Sequence, residues 1–365
     1  MMYCDNTQKE LRLYLDRTEN TFNKLLSEYD GQAVIKTCLD LGFPHDIIRI
    51  AGGFATGAYV EWTSNEPIIP VDTCVNVCSC SFFEITKDIR NIFNKSMFDD
   101  MTRSLRRGIY VDNFHRGNHF IAFLQSLKTG KLYLLLHSSA SEFKDNFNGL
   151  YPVRKNWYYE NIQKFYNGNN SYIRYIKGKD AELFYHLAEN LLKFNENRHE
   201  FFAQLLLRNA ASINDVTHYH HYYMPNEQSV VMGSHIVSEN QTSPILSVPG
   251  ANIYMVQFKA AKERNLYIND KQFLTPHGWG KRHKGTPILQ LDVESNTFSL
   301  DDYTYNIEYG ESLRAHPSLE LRDFETEYEN RKQSFLKHLD DIYDYTLIDE
   351  LKQIASYNKS GVIIW

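Results

Sequence analysis

Apolar residues at Leu11, Leu15, Phe22, Leu25 and Leu26 recur close to a 3.6-residue period, which predicts helix over residues 8 to 40 with breaks in its polar middle and at Gly31. From Ile47 to Ile89 the pattern shortens to brief apolar runs separated by Gly and Pro, as strands and turns require. A helical period returns over 89–107. Two apolar runs, 118–124 and 131–137, flank Thr129 and Gly130 and read as a hairpin. The longest periodic stretch is 180–207. There Leu183, Leu187, Leu191, Phe194, Phe201 and Leu205 fall near one face, and Asp180 is placed to cap the start. Residues 245–258 are apolar and strand-like, interrupted at Pro249 and Gly250. Residues 320–355 are charged and read as helix, ending near Asn358 and Gly361.

Strands carrying most of the distinctive histidines, with helices between them, predict an α+β (mixed α/β) class. The division expected is an N-terminal helical segment, 1–45, and a single large domain, 46–365. The chain has 365 residues, enough for a substantial core, and 42% hydrophobic against 23% charged residues excludes a disordered chain. No apolar run approaches the roughly 20 residues of a membrane helix. The start of the chain also lacks a basic and then apolar leader, so a cytoplasmic protein is expected. Five cysteines, three of them at positions 74, 78 and 80, suit reduced thiols better than a disulfide framework. A net charge of −6 excludes a broadly basic surface, so any nucleic acid must be held by local patches such as Lys281 to Lys284.

Four histidines stand in unusual surroundings. His119 follows Gly117 and Asn118, His137 closes the apolar run 132–136, His218 follows Asp215, Val216 and Thr217, and His277 lies between Pro276 and Gly278. Imidazoles with nearby thiols are a metal-ligand set, and a histidine among glycines is open to approach by a phosphate. His220 and His221, in an aromatic run, are expected as surface or loop residues.

In this order the motifs resemble the RtcB-type RNA ligases over about residues 52–345. The carriers are the turn 52–58, Gly117 to Phe120, His137 with Ser138, Asn197 with Arg198, His218 after Asp215 and Val216, Pro249 with Gly250, His277 before Gly278 and Gly280, and the segment 344–350. The resemblance implies an RtcB-like fold for the large domain, with a central mixed sheet flanked by helices. It also implies joining of RNA 3′-phosphate or 2′,3′-cyclic phosphate ends to 5′-hydroxyl ends, with Mn²⁺ (one or two ions) and GTP. One ion would be held by Cys78, His137 and His218, the other by Asp72, Cys78 and His119, with Asp72 and Cys78 the best chemical pair for the family's Asp and Cys ligands and Cys74 and Cys80 as alternates. His277 would take the guanylyl group. Asn118, Pro249, Gly250, Ala251, Gly278, Gly280, Lys281 and Tyr345 would bind the nucleotide, with backbone N–H groups at the glycines cradling phosphates. RNA ends and a guanine nucleotide are then the partners, with no membrane and a protein partner left open. Ala122 and Tyr219 depart from the family pattern, which expects glutamate and asparagine there. Two alternatives therefore stand beside the ligase: an impaired relative that binds RNA ends or a partner, and a metal-dependent phosphohydrolase.

Overall fold

The computed structural model describes residues 3–108, 113–114, 117–140, 143, 149–168, 170–208, 210–278, 280–308, 311–322 and 328–365. The chain is α+β. Its main sheet has strands in the order Thr242–Ile245, Ile253–Ala261, Tyr343–Asn358, Phe120–Ser126, Leu132–Ser138, Ser79–Ile85 and Ile213–His220, and Gly361–Ile364 pairs beside Tyr343–Asn358. Every neighbouring pair runs antiparallel, in place of the mixed sheet expected. Antiparallel neighbours do not need the crossover helix that a parallel pair requires, and most pairs here join strands far apart in the sequence.

One face of this sheet is closed by the helix Lys179–Leu207. Phe83, Phe123, Leu134 and Leu136 pack there against Phe202, Ala203, Leu206 and Leu207. The opposite face carries Cys80, Phe82, Phe120, Ala122 and Leu135, packed against Leu246, Ile253 and Leu351. Ala122 is thus a core residue. A second, four-stranded sheet orders Gln32–Gly42, Thr56–Thr63, Ser229–Met232 and Tyr222–Asn226. The N-terminal helix Asn6–Leu26, capped by Asp5 through Gln8 N at 3.0 Å, lays Leu11, Leu15, Phe22 and Leu25 on the core that this sheet shares.

Three expectations shift. Residues 32–42 form a strand, not the end of a helix, because β-branched Val34, Ile35 and Thr37 follow Gly31 and pair with 56–63. The N-terminal helix therefore ends at Leu26, and the remainder of 1–45 belongs to the main core. The charged helix near the C-terminus covers Tyr328–Ile342 only, and Tyr343–Asn358 is the long strand at the centre of the main sheet. The helix Lys179–Leu207 buries Phe184, Ala188, Phe202 and Leu206, while Leu183 and Phe201 are exposed. Its N-cap is Gly178, and Asp180 in the first turn accepts from Asn161 Nδ2 at 2.8 Å. All five cysteines are free thiols, and no helix among the described residues is long and apolar enough to cross a membrane.

Candidate metal centre and nucleophile

Four adjacent strands of the main sheet end together, and their ends carry the chemistry. Cys78 precedes Ser79–Ile85, His119 precedes Phe120–Ser126, His137 is the penultimate residue of Leu132–Ser138, and His221 follows Ile213–His220. Cys80 and Phe120 both pair with His137, which fixes the register, and the His221 N–H donates to the Cys78 carbonyl at 3.2 Å. Alternation decides which side chains meet. Residues 78 and 80 share a face with Tyr219, the direct partner of Cys80, and hence with His221. His218 pairs with Ser81 and faces the helix.

Cys78 Sγ lies 3.3 Å from His137 Nε2 and 4.0 Å from His119 Nε2, and His137 Nε2 lies 3.2 Å from His221 Nε2. Cys78, His137 and His221 each offer a ligand atom within 4.8 Å of the others, and all three are buried. Backbone carbonyls orient two of the rings: Nδ1 of His137 donates to Asn118 O and Nδ1 of His119 to Asn113 O, both at 3.2 Å. With the proton at Nδ1, each Nε2 turns a lone pair toward the thiol, as metal-ligating histidines do. Burial holds His137 and His221 well below the ordinary histidine range and His119 at about 3, so the rings are neutral and able to ligate. Burial also pushes the Cys78 thiol up to about 12, a proton that a bound metal would displace. Val77, one residue earlier, has φ 49, a left-handed conformation that costs a β-branched residue roughly 1–3 kcal/mol. Strain of this kind persists where the surroundings impose it, and here it adjoins the sulfur.

The donor set fits one ion of borderline softness, and thiolate with imidazole favours zinc over manganese. Among the described residues no carboxylate joins this cluster as a ligand for a second ion. Asp72 is buried elsewhere, where Arg174 Nε reaches both carboxylate oxygens at 3.0 Å, and burial raises its pKa against the pull of that guanidinium. Asn76 lines the cavity beside Cys78 and supplies only a neutral amide. Nor does His218 join the cluster. Its Nδ1 bonds Ser81 Oγ at 2.7 Å and its Nε2 faces Glu200 at 3.3 Å, so the histidine brought to the metal position is His221. Cys74 and Cys80 are buried away from the cavity.

The nucleophile candidate closes the same cavity, of about 510 Å³. His277 stacks on His221 with ring centroids 4.7 Å apart and an angle of 24°. Asp40, fully buried on the strand 32–42, accepts from His277 Nδ1 at 2.6 Å, from His277 N at 2.5 Å and from Gly278 N at 3.2 Å. This fixes the tautomer and leaves Nε2 as the free lone pair. Two glycines bring the chain close enough: a Cβ on Gly57 would lie 2.3 Å from the Asp40 carbonyl carbon, and one on Gly280 would lie 2.1 Å from its oxygen.

No family model and no curated protein matches this chain.

Of the nucleotide-binding residues expected, Asn118, Pro249, Ala251, Gly278, Gly280 and Lys281 line the cavity. The Gly278 N–H is taken by Asp40, and Gly250, at φ 84, lies under the Trp365 indole, where a Cβ would meet Nε1 at 3.0 Å. Tyr345 lies off the cavity and donates to Asp340 Oδ1 at 2.9 Å. Of the helix pair, Asn197 is exposed. Arg198 is buried beneath the sheet with Asn195, which donates to Ser79 Oγ at 2.7 Å. Arg198 itself donates to Ser139 O at 2.6 Å. Sequence reasoning missed Asp40 and His221. The available signals were a lone acid inside the β-like run Cys38 to Leu41 and the odd parity of His221 with Tyr219.

Proposed function

We propose that this cavity is a metal-assisted nucleotidyl-transfer site of the RtcB type, in an RtcB-like fold, which joins RNA 3′-phosphate ends to 5′-hydroxyl ends. The observation that carries this reading is His277, whose Nδ1–H is held by buried Asp40 while its ring stacks on a histidine of the thiol–imidazole cluster. A bound divalent ion would polarise phosphate oxygens in the cavity. Asp40 holds the proton at Nδ1, so Nε2 is the atom that attacks the α-phosphorus of GTP. A P–N bond forms, the bond to the leaving oxygen breaks and pyrophosphate departs. The guanylyl group then passes to an oxygen of the RNA 3′-phosphate, freeing His277, and the 5′-hydroxyl oxygen attacks that phosphate and expels GMP.

His283, six residues on, is not equipped for the role. Its Nε2 is bound to Asp301 at 2.6 Å and its Nδ1 accepts from Gly285 N at 3.0 Å. Incubation with labelled GTP and Mn²⁺ or Zn²⁺ should therefore give an acid-labile adduct on the wild type and on His283→Ala but none on His277→Ala. An adduct surviving in His277→Ala would overturn the assignment. Free guanylate without an adduct would favour hydrolysis, and no reaction with any divalent ion would favour a module that binds RNA ends or a partner.

A further inference from the structure

A thiolate sulfur and an imidazole nitrogen on one tetrahedral ion of zinc's size lie about 3.6 Å apart, and two such nitrogens about 3.3 Å. Cys78 Sγ stands 3.3 Å from His137 Nε2, and His137 Nε2 stands 3.2 Å from His221 Nε2, so the donors are already close to that spacing. The residues that hold it lie on the other face of the sheet. Ser79 pairs directly with Ser138, and each follows a ligand candidate, Cys78 or His137. By alternation their side chains point away from the cavity, toward the helix Lys179–Leu207.

Asn195 of that helix, fully buried, bridges the two strands at this pair. Its Nδ2 donates to Ser79 Oγ at 2.7 Å and to Ser138 O at 2.9 Å, with Val77 O at 3.3 Å. Its Oδ1 accepts from Ser138 Oγ at 3.2 Å and from Arg198, and this network decides which end of the amide faces which strand. One side chain thus grips the residues on both sides of Cys78, the strained Val77 included, and the residue after His137. His199, one helical turn on, repeats the bridge between Ser81 and Ser138, at 2.7 Å to each. The two elements are in step, because four helical residues rise about 6 Å and two strand residues about 6.6 Å. A buried, hydrogen-bonded amide adds little net stability over an apolar residue of the same shape, so what Asn195 adds here is position.

We propose that Asn195 is a positioning residue of the metal centre, which sets the separation of Cys78 and His137 from behind the sheet. The proposal rests on the thiol–imidazole cluster as a metal site and is independent of nucleotidyl transfer. A separation fixed in this way selects a tetrahedral ion over one that prefers six oxygen ligands.

The full chain is titrated with Co²⁺, whose thiolate charge-transfer band reports sulfur on the metal, and its urea midpoint is measured in parallel. Asn195→Ala and Asn195→Asp should each weaken Co²⁺ binding at least about tenfold, the loss that follows when outer partners of metal ligands are removed, and lower the band per bound ion. Asn195→Asp keeps the size of the side chain and its pairing with Arg198, so it separates loss of the Nδ2 donor from loss of packing. Ser79→Ala removes one acceptor and leaves the helix unchanged; it should act in the same direction by a smaller factor, and it decides the matter if the Asn195 variants do not fold. Phe202→Leu, on the same helix but packed against Phe83 and Phe123, should lower the urea midpoint and leave affinity and band at their wild-type values. Wild-type affinity and band in the Asn195 variants, or in Ser79→Ala where those do not fold, overturn the proposal. So does an affinity that follows the urea midpoint across all the variants with the band per ion unchanged, since Asn195 would then serve the fold alone. A wild type without the band overturns it together with the metal site. A protein that meets these expectations but is never labelled by GTP upholds the positioning role and overturns the transfer reading.

Discussion

His218 and His221 lie three residues apart and reach opposite faces of the sheet. His218 looks into the helix interface, bonded to Ser81 and facing Glu200, while His221 meets His137 and stacks on His277. Which of them holds metal is therefore a question of strand parity. Cys78→Ser and His221→Ala should each lower metal affinity by more than about tenfold, the scale on which even outer partners of a metal act, whereas His218→Ala should retain stoichiometric metal. Elemental analysis of the purified variants decides it, and metal lost with His218 but kept without His221 would reverse the assignment. At the same scale, Asp40 does for His277 what the carbonyls of Asn113 and Asn118 do for the cluster histidines: it selects the nitrogen that stays free.

The helix Lys179–Leu207 shows how an element can be located correctly while only part of its apolar period marks the buried face. Its long apolar residues suggested one face, but the buried face is built from Ala181, Phe184, Ala188, Phe202 and Leu206, joined by Asn195, Arg198 and His199. The polar three fit because serines of the sheet answer them. His199 bonds Ser81 and Ser138 through its two ring nitrogens at 2.7 Å, and Asn195 reaches Ser79. A hydrogen-bonded polar group can be buried at little cost, so hydrophobicity alone misjudges such a face. Phe184→Ala should cost about 3–5 kcal/mol by leaving a cavity, and Leu183→Ala, at an exposed position, less than about 0.5 kcal/mol. Urea titrations of both variants measure the contrast, and comparable losses would place the buried face where the apolar period put it. The strand Tyr343–Asn358 teaches a related lesson, since its charged residues imitate a helical surface while its pairing partners make it the centre of the main sheet.

Across the whole molecule, many histidines are buried in the neutral form, and this couples stability to pH. His119 and His235 are held at about 3 by burial, against about 6.5 in an unfolded chain. Between those values the unfolded chain binds more protons, so stability rises with pH across the window and is lost as pH falls from about 6.5 toward 3. The slope approaches about 1.4 kcal/mol per pH unit for each such histidine. Urea midpoints of the metal-free protein at pH 7.5, 6 and 5 should fall in that order, and His235→Gln should flatten the trend; a midpoint that rises on acidification would contradict neutral burial. The sequence by itself determined the α+β class, the hairpin that carries His119 and His137, and several residues of the cavity wall, Cys78 and His277 among them. Each of these follows from local periodicity or from side-chain chemistry. Only the tertiary structure decided that His221 and not His218 joins the Cys78 cluster, that Asp72 pairs with Arg174 away from the cavity, that Asp40 holds His277, and that Arg314 and Lys359 line the cavity with Lys281. Each of those depends on strand register or on contacts between distant segments. Asp40 and His277 are 237 residues apart, and only long-range pairing brings them to 2.6 Å.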